Sequence, residues 1–143
     1  MKEIKVDVTK TMDAFRQKLE GMFQVGMDLK PTTSNDDKWQ FKIESKNATL
    51  EFDVWFYNIG HTYDYSLNHK KNEDPVIRIN FIEVKPTKIG LGTKVYNEFV
   101  SILPDQYFKR ILLDAQDNDS LQFWLSLDFI QVNGTYYMYK DLK

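Results

Sequence analysis

A mixed α/β fold, with a largely antiparallel sheet flanked by helices, is predicted by three observations. Three β-like runs follow one another in the first half, at Trp39 to Ile43, Leu50 to Tyr57 and, more weakly, Tyr63 to Leu67. In the second half, two apolar stripes at helical spacing alternate with short apolar runs at strand spacing. Asn133-Gly134 then supplies a hairpin dipeptide near the end of the chain.

Each element follows from its local pattern. Ile4, Val6 and Val8 alternate with Lys5 and Asp7, the period of a half-buried strand. Thr9 or Thr11 offers a hydroxyl to a free first-turn N–H, and Met12, Phe15, Leu19 and Met22 follow at helical spacing, so a helix is expected to run to about Gly26. Pro31 to Asp37 is rich in Thr, Ser, Asn and Asp, which bond their own backbone, and is expected to be a connection. Asn47 and Asn58 to His61 punctuate the three β-like runs, and Asn68 to Asp74 forms a charged tip.

Val76 to Val84 is a strong strand that Pro86 stops. Gly90 and Gly92 precede a helical run with Val95, Tyr96, Phe99, Val100 and Leu103 on one face, and Pro104 stands where it should end. Ile111 to Leu113 forms a short strand. Asp114, Asp117 and Asp119 come next, better suited to capping the following helix than to holding a metal. Leu121, Trp124, Leu125 and Leu127 to Phe129 make the second stripe, which runs out near Asp128. Asn133-Gly134 suits a type I′ turn joining 129–132 to 135–142.

Composition removes several classes of function. The 143 residues suit one domain. Lys and Arg number 19 against 21 Asp and Glu, a net charge of −2, which disfavours nucleic acid as the main partner. A hydrophobic content of 42% and an aromatic content of 15% argue against intrinsic disorder. With no cysteine, disulfides, thiolate metal sites and a cysteine nucleophile are excluded, and two histidines alone are a poor zinc set. No apolar run reaches the ~18–20 residues that span a bilayer, so a cytoplasmic, membrane-free protein is the expectation.

The glycine pair carries the first functional signal. A helix that starts at Gly90-Leu91-Gly92 presents unpaired N–H groups and about half a positive charge, a setting that favours phosphate. Lys85, Lys88 and Lys94 surround the turn with no acid between them. A tight strand-to-helix turn explains the same glycines without a ligand. The dinucleotide fingerprint fails for want of a third glycine at Val95, and Gly90 to Lys94 lacks P-loop spacing.

Taken together, Ile79-Asn80-Phe81-Ile82-Glu83-Val84-Lys85-Pro86, Ile89-Gly90-Leu91-Gly92-Thr93, Phe123 to Phe129 and Tyr136 to Leu142 resemble the GNAT family of acyl-CoA-dependent N-acetyltransferases. The resemblance covers about residues 75–143, and the first half matches only in its order of elements. It implies a sheet splayed in the middle, with acetyl-CoA as acyl donor in the gap and a primary amine as acceptor. Carried over residue by residue, the backbone of Ile82, Glu83 and Val84 would pair with pantetheine. Thr87, Lys88, Ile89, Gly90, Leu91, Gly92 and Thr93 would cradle the phosphates, and Trp124 would stand where the family has a tyrosine acid.

Three residues depart from the family's pattern. Thr87 replaces an Arg or Gln, a neutral hydroxyl in place of a bidentate donor. Trp124 donates a hydrogen bond but delivers no proton at neutral pH. Asp128 replaces the glycine before Phe129, and tolerates positive φ better than most side chains do. Tyr136, Tyr137 or Tyr139 could supply the missing acid.

No catalytic base is assigned from the sequence. Strand alternation places Arg78, Asn80, Ile82 and Val84 on one face and Ile79, Phe81 and Glu83 on the other, so Glu83 points away if Val84 faces the cleft. Glu51, Asp53, His61, Asp64 or a water remain as proton acceptors. His61 and His69 read more simply as turn histidines, and the aromatics of Trp55 to Tyr57, with Tyr63 and Tyr65, as strand packing. The leading expectation is N-acetyl transfer to a primary amine by direct attack. Its rivals are a GNAT-shaped coenzyme-binding or protein-interaction module without turnover, and a chain that has also lost the coenzyme and pairs through an exposed sheet edge, possible as a homodimer.

Overall fold

The computed structural model describes residues 6–34, 37–58, 62–67, 70–85, 90–104 and 106–142. A seven-stranded sheet forms the frame, built of β1 (Met27–Ser34), β2 (Lys38–Ser45), β3 (Leu50–Tyr57), β6 (Val76–Val84), β7 (Arg110–Asp114), β9 (Tyr137–Asp141) and β8 (Ile130–Gln131) in that order. Every neighbouring pair is antiparallel except β6 and β7, which are parallel. In the chain, α1 (Thr9–Phe23) precedes the strands, α2 (Leu91–Ser101) lies between β6 and β7, and α3 (Asn118–Ser126) lies between β7 and β8. The mixed, mostly antiparallel architecture expected from the sequence is the one observed.

The core lies on one face of the sheet. Phe41, Ile43, Phe52, Val54 and Phe56 alternate with solvent-facing residues along β2 and β3, and Phe15 of α1 and Phe99 of α2 close on them. Phe15, Phe52 and Phe99 meet pairwise at ring-centroid distances of 5.0 to 5.5 Å in tilted and edge-on contacts. Such pairs add about 0.5–1.5 kcal/mol each beyond the area they bury. Tyr96 of α2 carries the core towards α3, edge-on to Trp124 at 5.8 Å.

The opposite face is polar over β1 to β3 and covered over β7 and β9. The cover is a second, two-stranded sheet of β4 (Thr62–Asp64) and β5 (Lys70–Asn72), with a 3₁₀ turn at Tyr65–Leu67 between them. Tyr65 stacks on Tyr137 at 3.7 Å. Asp64, 1% exposed, accepts from the Ser66 amide and hydroxyl, the Asn72 amide and Arg110, whose Nη1 lies 2.8 Å away. Arg110 also reaches Asp141 at 2.6 Å and lies over the Tyr139 ring.

Several expectations are corrected. Residues 6–8 form no strand: Val8 is the residue before α1 and is fully buried, and residues 1–5 lie outside the described chain. No threonine hydroxyl caps α1. The Asp7 carboxylate accepts from the Thr9 N–H instead, at 2.9 Å. Helix α1 ends at Phe23, where Gln24 turns left-handed at φ 53°. Pro31 to Ser34 belong to β1 rather than to a connection. The sheet tolerates Pro31 because β1 is an edge strand and the register shifts between Pro31 and Thr33.

The expected run Tyr63 to Leu67 is split between β4 and the 3₁₀ turn, and the charged tip contains β5. At Asn133-Gly134 only Gly134 has positive φ, 76°, so the turn is not type I′. Asp117, as expected, caps α3 by accepting from the Ser120 N–H at 2.8 Å. Asp128 does adopt positive φ, at 69°. No helix among the described residues is long and apolar enough to cross a membrane.

Candidate active-site cleft in the split sheet

The site begins where two parallel strands part. β6 and β7 pair from Val76↔Arg110 to Ile79↔Leu113 and no further, although β6 continues for five more residues. Over those residues β3 stays paired with β6, down to Leu50↔Val84. The edge of Asn80 to Val84 that faces β7 therefore has no strand partner. Backbone groups on such an edge are free to bond an extended ligand.

A bulge sets the geometry at the apex. Asp53 pairs with Phe81 and Val54 with Ile79, so Asn80 is the extra residue on β6. The bulge resets the alternation of the strand. Ile77 and Ile79 share the helix-covered face with Ile82 and Val84, opposite Phe56, Val54, Phe52 and Leu50. Arg78 shares the other face with Phe81 and Glu83. Simple alternation, which grouped Arg78 with Ile82 and Val84, is thereby overturned. Glu83 still points away from Val84, as expected.

A cleft of about 410 Å³ fills the gap. Ligand pockets span roughly 300–1,000 Å³, so it is of useful size. One wall is Ile79 to Val84 with Gly90, Gly92 and Thr93; the other is Leu113, Asp114 and Gln116 with Asp119, Ser120, Phe123 and Trp124 of α3. Ile82, Glu83, Val84, Gly90, Gly92, Thr93 and Trp124, which the resemblance singled out, all line this one cleft. Leu91 does not line the cleft and packs against the core. Thr87, Lys88 and Ile89, with His61 and His69, lie outside the described residues.

Gly90 and Gly92 are needed for different reasons. Gly90 is the N-cap of α2 at φ 73°, where a side chain would be strained. A Cβ on Gly92 would come within 3.2 Å of the Phe123 ring, so glycine lets α2 and α3 meet at the cleft. The first intrahelical bond of α2 among the described residues runs from Lys94 N–H to the Gly90 carbonyl at 3.0 Å, and helix geometry leaves the N–H groups before it without intrahelical acceptors.

The stretch from Lys85 to Lys94 holds no acid, and just before it Glu83 lies 3.7 Å from Lys85. Among the described lining residues the ionisable groups are all carboxylates, Glu83, Asp114 and Asp119. Asp114 follows Leu113, the last β7 residue paired with β6, and Asn80 follows Ile79, so these two flank the apex.

The remaining candidates sort by environment. Trp124 is 4% exposed and packs edge-on against Tyr96 and Phe129, so most of its surface serves the core. Burial pushes the Tyr96 hydroxyl up to about 12, with Asp128 adding to it. Asp64 is a structural anion: burial opposes its charge, but Ser66, Asn72 and Arg110 together hold its carboxyl below the ordinary value. Asp53 accepts from the Gln40 amide at 3.1 Å, and Glu51 pairs with Lys42 at 2.9 Å.

Tyr136 donates to Asn118 at 3.0 Å, and Tyr139 lies under Arg110. The Tyr137 hydroxyl is raised by its hydrogen bond to Tyr65, by burial and by nearby Asp114, with Arg78 opposing. Among the described residues no group of three or more His, Asp or Glu could hold a metal. Sequence reading missed Asp114 as a cleft residue. Its signal was the last apolar residue of Ile111 to Leu113, after which the strand could part from its neighbour.

No protein-family model matches the sequence, and no curated protein matches it. Solved structures do. The chain is similar to a tyrosine-to-phenylalanine mutant of KacT, at 11% identity and TM-score 0.51 over 94% of this chain and 87% of that one. It is similar to AtaT carrying the same kind of mutation, bound to the C-terminus of the antitoxin AtaR, at 9% identity and TM-score 0.53 over 82% and 91% of the two chains. AtaT with that antitoxin segment and acetyl-CoA matches at 12% identity and TM-score 0.52 over 71% and 67%. These are GNAT-fold proteins, and the fold of this chain is the GNAT fold that the motifs resembled.

Proposed function

We propose that the chain is an acetyl-CoA-dependent N-acetyltransferase that uses the split between β6 and β7 as its donor site and acts on a primary amine. One observation carries the reading: β6 keeps one edge free from Asn80 to Val84 beside a 410 Å³ cleft whose mouth is the N-terminus of α2. That edge suits the amide-bearing pantetheine arm, which would bond along Ile82, Glu83 and Val84. The phosphates would lie against the α2 N-terminus at Gly90, Gly92 and Thr93, where unpaired N–H groups favour anions. A structural neighbour, AtaT, is known with acetyl-CoA bound, which supports the choice of donor.

The chemistry follows from what flanks the apex. The neutral amine attacks the thioester carbonyl; a C–N bond forms, the C–S bond breaks, and the sulfur leaves with the electron pair. A thiol pKa near about 8.5 makes that thiolate a tolerable leaving group without a strong acid. Asp114, the lining carboxylate beside the end of the strand pairing, is the group we assign to accept the proton the amine gives up. Asn80, opposite it, has an amide to orient the carbonyl or the amine. Trp124 donates a hydrogen bond at most, so the proton taken by the thiolate comes from water or a tyrosine.

Titration of acetyl-CoA by calorimetry or thermal shift tests the donor site. Stabilisation at micromolar to millimolar ligand is expected, and none at millimolar concentration ends the proposal. The rival reading, a binding module without turnover, is favoured by the buried Trp124 at the tyrosine position. It predicts coenzyme binding with no thiol release over a broad amine panel.

A further inference from the structure

The polar face of the sheet holds a cation without a counter-ion among the described residues. The chain has three arginines. Arg16 bonds Asp13 and Glu20, and Arg110 bonds Asp64 and Asp141. Arg78 makes no ion pair and no side-chain hydrogen bond among the described residues, although it is partly buried. A guanidinium taken partly out of water without a partner loses hydration with nothing in return. It is therefore the one arginine whose environment improves when an anion arrives.

Its place in the sheet links it to the reaction. Arg78 lies between Trp55 on β3 and Leu112 on β7, one residue before the last β6–β7 pair and two before the Asn80 bulge. On the same face, one step further along β7, Asp114 pairs with Tyr137. The Tyr57 and Tyr137 hydroxyls both feel the charge of Arg78. Trp55 and Tyr57 stack at 6.0 Å on β3, and Tyr65 stacks on Tyr137 of β9, so aromatic pairs lie on the strands to either side of β6. The β4–β5 cover, pinned by Asp64 to Arg110, sits next to it.

We infer that Arg78 and Asp114 together select an acceptor that carries both an amine and an oxyanion, a carboxylate or a phosphate, a few bonds apart. Asp114 draws the amine to the apex, and Arg78 grips the oxyanion in the two-pronged geometry that guanidinium shares with both groups. Gln40 holds Asp53 and Lys42 holds Glu51, so neither of those carboxylates neutralises Arg78. The inference rests on the transferase reading above, but the anion site can be read without turnover.

The experiment compares amines that differ only in the anion. Acetyl transfer by the wild-type chain and by Arg78→Gln is measured with glycine, phenylalanine, their carboxamides and 2-aminoethyl phosphate, alongside the acetyl-CoA dissociation constant of each protein. The expected kcat/KM for a charged probe exceeds that of the carboxamides about tenfold, and Arg78→Gln removes that advantage while leaving the carboxamides and acetyl-CoA binding within about twofold. Arg78→Lys should recover part of it. Preference for the amino acids or for the phosphate identifies the oxyanion.

Equal use of acids and amides by the wild type, or equal loss on every probe in Arg78→Gln, overturns the inference. If no probe is acetylated, saturation-transfer NMR on the same set decides. Saturation of the charged probes that Arg78→Gln abolishes supports the site, and no such difference overturns it. A failure of acetyl-CoA to bind overturns the donor cleft instead, and leaves this readout standing.

Discussion

The two halves of β6 obey different rules. From Val76 to Ile79 the strand is bonded on both sides and its apolar residues are buried; Ile77 is fully inaccessible. From Asn80 to Val84 it keeps only β3; three of those five residues are partly buried and Glu83 is exposed. One strand thus gives Val76, Ile77 and Ile79 to the buried interior and lines the cleft with the five residues that follow. The difference teaches that the cleft is made by pairing that stops, not by unusual residues: a bulge at Asn80 turns the strand and β7 ends at Asp114.

Four changes would break or sharpen this contrast. Ile77→Ala removes a fully buried side chain from the doubly bonded half and should cost about 2–5 kcal/mol in urea unfolding, with the acetyl-CoA affinity of the folded protein unchanged. A loss of affinity equal to the loss of stability would mean that the halves are not independent. Asp114→Asn should lower kcat by about 10²-fold in a thiol-release assay while acetyl-CoA binds as before, because it removes the proposed proton acceptor at the apex and no core contact. An unchanged kcat would move that role to another group or to water.

Gly92→Val acts on the open half alone. Its Cβ meets the Phe123 ring at 3.2 Å, so the ring is pushed towards the cleft, and acetyl-CoA affinity by calorimetry should fall about tenfold. The smallest effect is on the cover. The Asp64 carboxyl is held below its unfolded value, so the stabilisation it gives is fully present above about pH 4 and is lost as pH falls through the folded value. Near-ultraviolet circular dichroism of the Tyr65–Tyr137 stack should therefore fade on acidification before the helices unfold, and Asp64→Asn should remove that early step.

Local pattern carried most of the frame. Leu50 to Tyr57 and Val76 to Val84 match the observed strands end to end, because each is a long apolar-rich run with turn residues on either side. Asp117 was legible as a cap, since a carboxylate before a helical stripe has one evident acceptor role. The errors fell where context outweighs propensity. Pro31 is a strand residue only because its strand lies at the edge of the sheet, and edge position is not written in the local sequence.

The site shows the same division. Gly90, Gly92 and the strand before them were visible because glycine at a helix start is a local signal. Asp114 and Arg78 were not legible as a site. Their roles depend on which strand lies beside which, and a bulge at one residue reversed the faces that alternation assigned. By itself the sequence determined the fold class, the two longest central strands and the glycine start of α2, since these arise from periodicity and backbone preference within a few residues. Only the tertiary structure decided where β6 and β7 part, which groups flank that point and which arginine lacks a partner among the described residues, because pairing between strands and the burial of charge join residues 30 or more positions apart.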